Sequence, residues 1–226
     1  MVKLVIIRHG ESVWNLENRF TGWIDVQLSE KGIVEAKKAG ELLKGYYFDK
    51  IFVSHLRRAI DTMDLVIESI GDKRTPIIYH YDDSQIRERE HAENIANELE
   101  IIQSKALAER YYGDLQGLNK DDCRKKWGEE QVHIWRRSFD IRPPGGESLK
   151  DTLSRVLPFY NKNIVPELKK EKNILIVAHG NSLRAIVKHL ENISDQDIPN
   201  HELATGVPIV YELDNDIQVI SKQELK

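Results

Sequence analysis

Two short phrases in this chain have the same make-up. Residues 6–12 read IIRHGES and residues 176–182 read IVAHGNS, each an apolar run ending in His-Gly-x-Ser. A histidine is a good nucleophile toward phosphorus near neutral pH, where a ring nitrogen is unprotonated, and it forms a covalent phosphohistidine. A transferring phosphoryl group spreads negative charge over three oxygens and needs fixed donors around it. Arg8 adjoins the first histidine, His9, and offers a planar fork that stays charged. Arg58 begins a predicted helix, where free backbone N–H groups add to the pull on an anion. The second histidine, His179, can steady the oxygens of the same group. Other chemistries find less support. No GxxxxGK[ST] string is present, so a nucleotide P-loop is not expected. Asp121-Asp122-Cys123 has no second cysteine or spaced histidine to complete a ligand set, so no metal is expected.

The elements that must position these residues follow from pattern. Residues 3–7 form a β-branched apolar run, read as a strand buried on both faces. Residues 8–28 lack steady periodicity and read as a long functional loop. Ser29 reads as the N-cap of a helix with Ile33, Ala36, Ala39, Gly40 and Leu43 on one stripe. A strand at 51–54 leads into a helix over about 56–70, and 76–79 is a third strand. Residues 173–178 form a fourth, entering a helix over about 182–190. Strands at 208–213 and 217–221 flank Asp214-Asn215-Asp216 and predict a closing hairpin. Strands alternating with helices predict an α/β domain with a mostly parallel sheet, in which ligands gather at the carboxyl ends of the strands. Both His-Gly-x-Ser phrases fall there. Between them, about 81–107 reads as a helical insertion, with Ala92, Ile95, Ala96, Leu99, Ile102 and Ala106 spaced at three and four.

Bulk properties narrow the class. With 226 residues, 40% hydrophobic and 31% charged, the chain suits one catalytic domain spanning 1–226. A net charge of −4 gives no general reason to bind nucleic acid, so an anionic ligand must be caught by a local basic cluster. Cys123 is the single cysteine, and the N-terminal apolar run is too short for a leader. A cytoplasmic location is expected, with no membrane partner.

The strings RHGESVWNLENRFTGWIDVQLSEKG (8–32), SHLRRAIDT (54–62), ERYYGDLQGLNK (109–120), EQVHIWRRSFDIRPP (130–144) and AHGNSLRAIVKHL (178–190) resemble those of cofactor-dependent phosphoglycerate mutases, within the histidine phosphatase superfamily. The resemblance implies a three-layer α/β fold and interconversion of 3-phosphoglycerate and 2-phosphoglycerate in glycolysis and gluconeogenesis. The route it implies is a phosphohistidine at His9, primed by 2,3-bisphosphoglycerate. It implies a catalytic set of His9, Arg8, Arg58, His179 and Glu109, with Glu109 as general acid/base. It implies substrate contacts at Ser12, Asn15, Thr21, Gly22, Arg110, Tyr112, Lys120, Arg136, Arg137, Gly180 and Asn181. It further implies small-molecule phosphoglycerates as partners, and a homo-oligomer with a dimer favoured. The chain departs from the family pattern between Arg58 and Glu109, which stand about two dozen positions farther apart than usual. The predicted helical insertion fills that interval and is expected near the pocket entrance or an interface. The nearest rival is a phosphatase of the same superfamily. A rival of another class is a non-catalytic scaffold that binds a partner through the added helix.

Overall fold

The segments VKLVIIR and ILIVA carry apolar residues at nearly every position, the composition of strands covered on both faces. They lie at the centre of a seven-stranded sheet. The strands are β1 (Val2–Arg8), β2 (Lys50–Ser54), β3 (Thr75–His80), β4 (Glu98–Ser104), β5 (Ile174–Ala178), β6 (Pro208–Leu213) and β7 (Val219–Glu224). Their order across the sheet is β3-β4-β2-β5-β1-β6-β7. The first five in that order run parallel, while β6 and β7 are antiparallel to their neighbours. This computed structural model describes residues 1–81 and 97–226.

The described α-helices are α1 (Val13–Leu16), α2 (Glu30–Leu42), α3 (Arg57–Ile70), α4 (Lys120–Trp127), α5 (Glu129–Arg137), α6 (Leu149–Phe159), α7 (Val165–Lys169) and α8 (Gly180–Glu191). Strand alternation divides the core into two. Val5, Ile7, Ile51, Val53, Leu175 and Val177 pack against Ala39 and Leu43, in and just after α2, and against Ala59, Met63 and Val66 of α3. Leu4, Ile6, Phe52, Ile174 and Ile176 pack against Val156 and Phe159 of α6 and Leu183 and Ile186 of α8. Helices on both faces of the mostly parallel sheet that the pattern predicts give the three-layer architecture that the resemblance implies. Ser29 caps α2 as expected, its Oγ accepting from the Gly32 N–H at 3.1 Å. Gly32 also lets α2 touch the loop after His9: a Cβ there would lie 2.0 Å from the Glu11 carbonyl oxygen, and one on Gly10 would lie 2.3 Å from that of Gly32.

The fold departs from the sequence-based expectations in a few places. The predicted helix over 81–107 is not what its described part forms. Leu99 and Ile102 lie in β4, and Ala106 lies in a 3₁₀ turn at Lys105–Leu107; Ala92, Ile95 and Ala96 lie outside the described residues. The run ELEI at 98–101 also fits a two-residue period, with Leu99 and Ile101 fully buried. Pairing with β2 on one side and β3 on the other decides for the strand. Ile33 is 39% exposed rather than on the buried stripe, where Gly32 takes its place beside Ala36, Ala39 and Gly40. The loop over 8–28 contains the short helix α1, capped by Ser12. Helix α8 begins at Gly180, earlier than predicted, and β7 begins at Val219, after a turn in which Ile217 has a φ of 62°.

Candidate active site

In the parallel register of β1 and β5, Arg8 pairs with Ala178. The next residue on each strand is therefore a histidine, and the two emerge side by side. The His9 N–H donates to the Ala178 carbonyl at 2.9 Å, and the two rings stand 5.0 Å apart, tilted by 60°. The neighbouring parallel strands add the rest. Strand β2 ends at Ser54, and Arg58 follows in the first turn of α3; β4 leads through the 3₁₀ turn to Glu109. Four adjacent strands thus deliver their functional residues at one carboxyl edge.

His9 is buried with its Nδ1 2.7 Å from the Gly10 carbonyl. A carbonyl only accepts, so Nδ1 carries the proton and Nε2 keeps its lone pair. Arg58 Nε donates to that Nε2 at 3.3 Å. Burial, then the positive charge of Arg58 and Arg8, holds the His9 pKa well below the ordinary histidine range. The ring is therefore neutral at physiological pH, the form a nucleophile needs. Arg58 is aimed by two carbonyls, donating to Gly22 at 2.8 Å and Ile24 at 3.2 Å. Burial lowers its own pKa to about 10, which leaves it charged. His179 has Nε2 2.7 Å from Ser54 Oγ, which also accepts from the Leu56 N–H.

Glu109 faces the histidines from the other side. Its Oε1 accepts from the Arg110 N–H at 2.7 Å, the Asn181 side-chain amide at 2.8 Å and the Asn181 N–H at 3.2 Å, the last at the N-terminus of α8. Burial alone would push this carboxyl up, but these donors together with Arg58 and Arg8 hold it below the usual carboxylate range. Glu109 is ionised and able to take a proton. Its own carbonyl is pinned by Trp23 Nε1 at 2.6 Å and by Arg155 Nη2 at 2.7 Å.

Around these groups lies a polar cavity of about 240 Å³. Beyond His9 and Glu109 its wall holds the cations Arg8, Arg19, Arg58, Lys120, Arg136, Arg137 and Arg184. Burial lowers the pKa of Lys120, with the charge of Arg136 adding to the shift, and burial lowers that of Arg136, with the charge of Arg137 adding to it. Three buried polar atoms around the two histidines make no hydrogen bond with any described residue: Arg8 Nε, Thr21 Oγ1 and His179 Nδ1. Such a combination of concentrated positive charge and uncommitted donors fits a small, multiply charged anion.

A model of the histidine phosphatase superfamily, branch 1, matches residues 4–82 and 77–224. The chain belongs to the histidine phosphatase superfamily. It is 54% identical over 222 residues to the phosphoglycerate mutase of Schizosaccharomyces pombe, with 97% of this chain and 94% of that protein covered. It is 51% identical over 224 residues to the 2,3-bisphosphoglycerate-dependent phosphoglycerate mutase of Afipia carboxidovorans, with 98% and 97% covered. Among solved structures, a mycobacterial glucosyl-3-phosphoglycerate phosphatase superposes with a TM-score of 0.75 at 24% identity, over 99% of this chain and 97% of that one. The α-ribazole phosphatase of Shigella flexneri gives 0.74 at 22%, over 97% and 95%. At those identities the likeness is one of fold.

In this member of the superfamily, most of the residues anticipated from sequence line the one cavity: Arg8, His9, Asn15, Thr21, Gly22, Arg58, Glu109, Tyr112, Lys120, Arg136, Arg137, Gly180 and Asn181. His179 lies behind the wall, in contact with His9. Ser12 is buried and caps α1, its Oγ donating to Asn15 Oδ1 at 2.9 Å and so fixing Asn15. Arg110 is fully buried and supports the wall, donating to Tyr112 Oη at 2.9 Å and the Arg136 carbonyl at 3.0 Å. Sequence reasoning passed over Arg19, Phe20, Arg184 and Glu202, which also line the cavity. Arg184 carried a signal, because it lies one turn beyond Asn181 on the same helix.

Arg184 Nε donates to the His201 carbonyl at 2.6 Å, and its Nη1 donates to Asn181 Oδ1 at 3.3 Å. That second bond fixes the amide so that Asn181 Nδ2 faces Glu109. Arg184→Gln releases the amide and removes a positive charge. The expected result is a roughly tenfold fall in kcat/KM at mildly acidic pH, the scale of one charge-assisted hydrogen bond. The acid limb of the pH profile moves upward, because Glu109 then protonates more readily. An unmoved limb would separate Arg184 from Glu109.

Proposed function

We infer that the protein is a 2,3-bisphosphoglycerate-dependent phosphoglycerate mutase, interconverting 3-phosphoglycerate and 2-phosphoglycerate through a phosphohistidine at His9. The observation that carries this reading is the juxtaposition of two groups. A neutral His9, whose unprotonated Nε2 accepts from Arg58, lines the same cavity as an ionised Glu109. The wall also holds Lys120 and Arg136, cations a simple phosphatase reaction does not require. The names of relatives at about half identity over nearly the whole chain agree.

2,3-Bisphosphoglycerate would supply the phosphoryl group that primes His9; Arg8 Nε, Thr21 Oγ1 and His179 Nδ1 are the uncommitted atoms suited to its oxygens. In the first half-reaction His9 delivers its phosphoryl group to the 2-hydroxyl of 3-phosphoglycerate. The P–N bond breaks, the new P–O bond forms, and Glu109 takes the hydroxyl proton. Arg8, Arg58 and His179 hold charge on the oxygens throughout. In the second half His9 takes back a phosphoryl group from the 3-position, and Glu109 returns the proton to the 3-oxygen as 2-phosphoglycerate leaves. Lys120, Arg136 and Tyr112 hold the end of the substrate that does not react. The guanidinium groups of Arg8 and Arg58 supply the positive charge at phosphorus, so the scheme uses no metal. Among the described residues no helix is long and apolar enough to cross a membrane, in keeping with a cytoplasmic glycolytic role.

A coupled assay of 3-phosphoglycerate conversion, with and without 2,3-bisphosphoglycerate, tests the reading. Turnover is expected to depend on the bisphosphate and to exceed release of inorganic phosphate by orders of magnitude. Phosphate release as the main outcome would make the protein a phosphatase.

A further inference from the structure

Glu202 is out of place by charge. It is a carboxylate in the wall of an anion-binding cavity, and unlike Glu109 it has no proton to carry. It pairs with Arg137, whose Nη2 donates to Glu202 Oε1. Lys120 and Arg136, beside Arg137 in the wall, form no ion pair with any described residue. One of these three cations is therefore already neutralised by the protein, and the other two are not.

The backbone around Glu202 explains how this pair can open without losing Arg137. Alternate carbonyls of residues 199–203 each accept from a different cavity arginine. Pro199 accepts from Arg137 Nη1 at 3.2 Å, His201 from Arg184 Nε at 2.6 Å, and Leu203 from Arg8 Nη1 at 2.8 Å. Arg137 thus has one anchor on the main chain and one on an exposed side chain. The Glu202 side chain is 69% exposed, against 24% for Arg137. An ion pair with so exposed a partner contributes little, and a ligand oxygen can replace the carboxylate at small cost.

We propose that Glu202 is an exchangeable counter-ion for Arg137, occupying it between turnovers and yielding it to the anionic end of the substrate. The inference rests on the mutase reading above. A mutase needs such a device more than a phosphatase does. Its doubly phosphorylated intermediate must let go of the far end of the cavity and turn before the second transfer. A grip with a built-in competitor releases faster than one that is purely cationic, at the expense of ground-state affinity.

The test is Glu202→Gln, which keeps the side chain's size and removes its charge. The expected KM for 3-phosphoglycerate, at saturating 2,3-bisphosphoglycerate, is about two- to fivefold lower than in the wild type, the range an exposed ion pair spans. Calorimetric titration with 3-phosphoglycerate is expected to show the same tightening without relying on turnover. In an Arg137→Gln background the second substitution is expected to leave affinity unchanged, since the counter-ion then has nothing to neutralise. An unchanged or higher KM in Glu202→Gln overturns the proposal, because it makes Glu202 a support that positions Arg137. Equal tightening in both backgrounds also overturns it, because it reduces Glu202 to a general surface charge. Wild-type turnover in the same assay tests the mutase reading separately: an inactive wild type refutes that reading, whereas an active wild type with an untightened variant refutes only the exchange.

Discussion

His9→Asn is expected to lower mutase turnover by about four orders of magnitude or more, and to abolish the acid-labile phosphoryl adduct formed on incubation with 2,3-bisphosphoglycerate. The size of the effect follows from what the site can substitute. Of the groups at the cavity's reactive end, Arg8 and Arg58 are donors without a lone pair, and His179 lies behind the wall rather than in it. His9 alone offers an accessible nitrogen lone pair, because the Gly10 carbonyl fixes the ring proton on the far side. Asparagine keeps roughly the length and polarity of the side chain, so the Arg58 and α3 packing around it need not rearrange, but its amide nitrogen is not a nucleophile. Two measurements bear on the outcome. Denaturing gels after labelled bisphosphate should show acid-labile, alkali-stable phosphate on the wild type and none on the variant. Retained label, or turnover within tenfold of the wild type, would place the phosphoryl group elsewhere.

Much of this site is legible in the sequence because the groups at its reactive end follow strands. A buried strand has a strong apolar signature, and the polar residue that ends it is exposed at a predictable edge. His9 and His179 could be paired in advance on that ground, and the parallel register of β1 and β5 brings them together. The helix predicted over 81–107 is contradicted in its described part, 98–107, because a short apolar run carries no unique period. A short run such as ELEII satisfies both a three-to-four and a two-residue period, and only the neighbouring strands β2 and β3 discriminate. Residues 199–203 were illegible for another reason. Their contribution is made by main-chain carbonyls, which leave no mark on side-chain identity, so the backing they give to Arg8, Arg137 and Arg184 appears only in three dimensions. Arg155 is similar: it braces the Glu109 carbonyl from α6, far along the chain, and nothing local distinguishes it from a surface arginine.

Glu109→Gln carries the second large effect. A general acid/base typically contributes about 10²- to 10⁴-fold, and turnover should fall within that range. The substitution is nearly silent in structure. Glutamine Oε1 can accept the same bonds from the Arg110 and Asn181 N–H groups that Glu109 Oε1 accepts now, so fold and cavity should persist. What is lost is an atom able to take a proton. The pH dependence separates this loss from a general weakening. Burial favours the neutral carboxyl, but the backbone donor of Arg110, the Asn181 amide and the charges of Arg58 and Arg8 outweigh it and keep the folded-state pKa below the ordinary value. In the wild type the base form therefore persists throughout neutral pH, and kcat/KM falls only as the pH drops through that depressed value. In Glu109→Gln no carboxyl remains to titrate, and the acid limb assigned to it should vanish along with most of the rate. The nucleophile and its arginines are intact in this variant, so the phosphoryl adduct on His9 is still expected to accumulate on long incubation with 2,3-bisphosphoglycerate. Turnover within tenfold of the wild type, or a variant that keeps the acid limb, would remove Glu109 from the proton path and leave its carboxylate as an anchor for the first turn of α8.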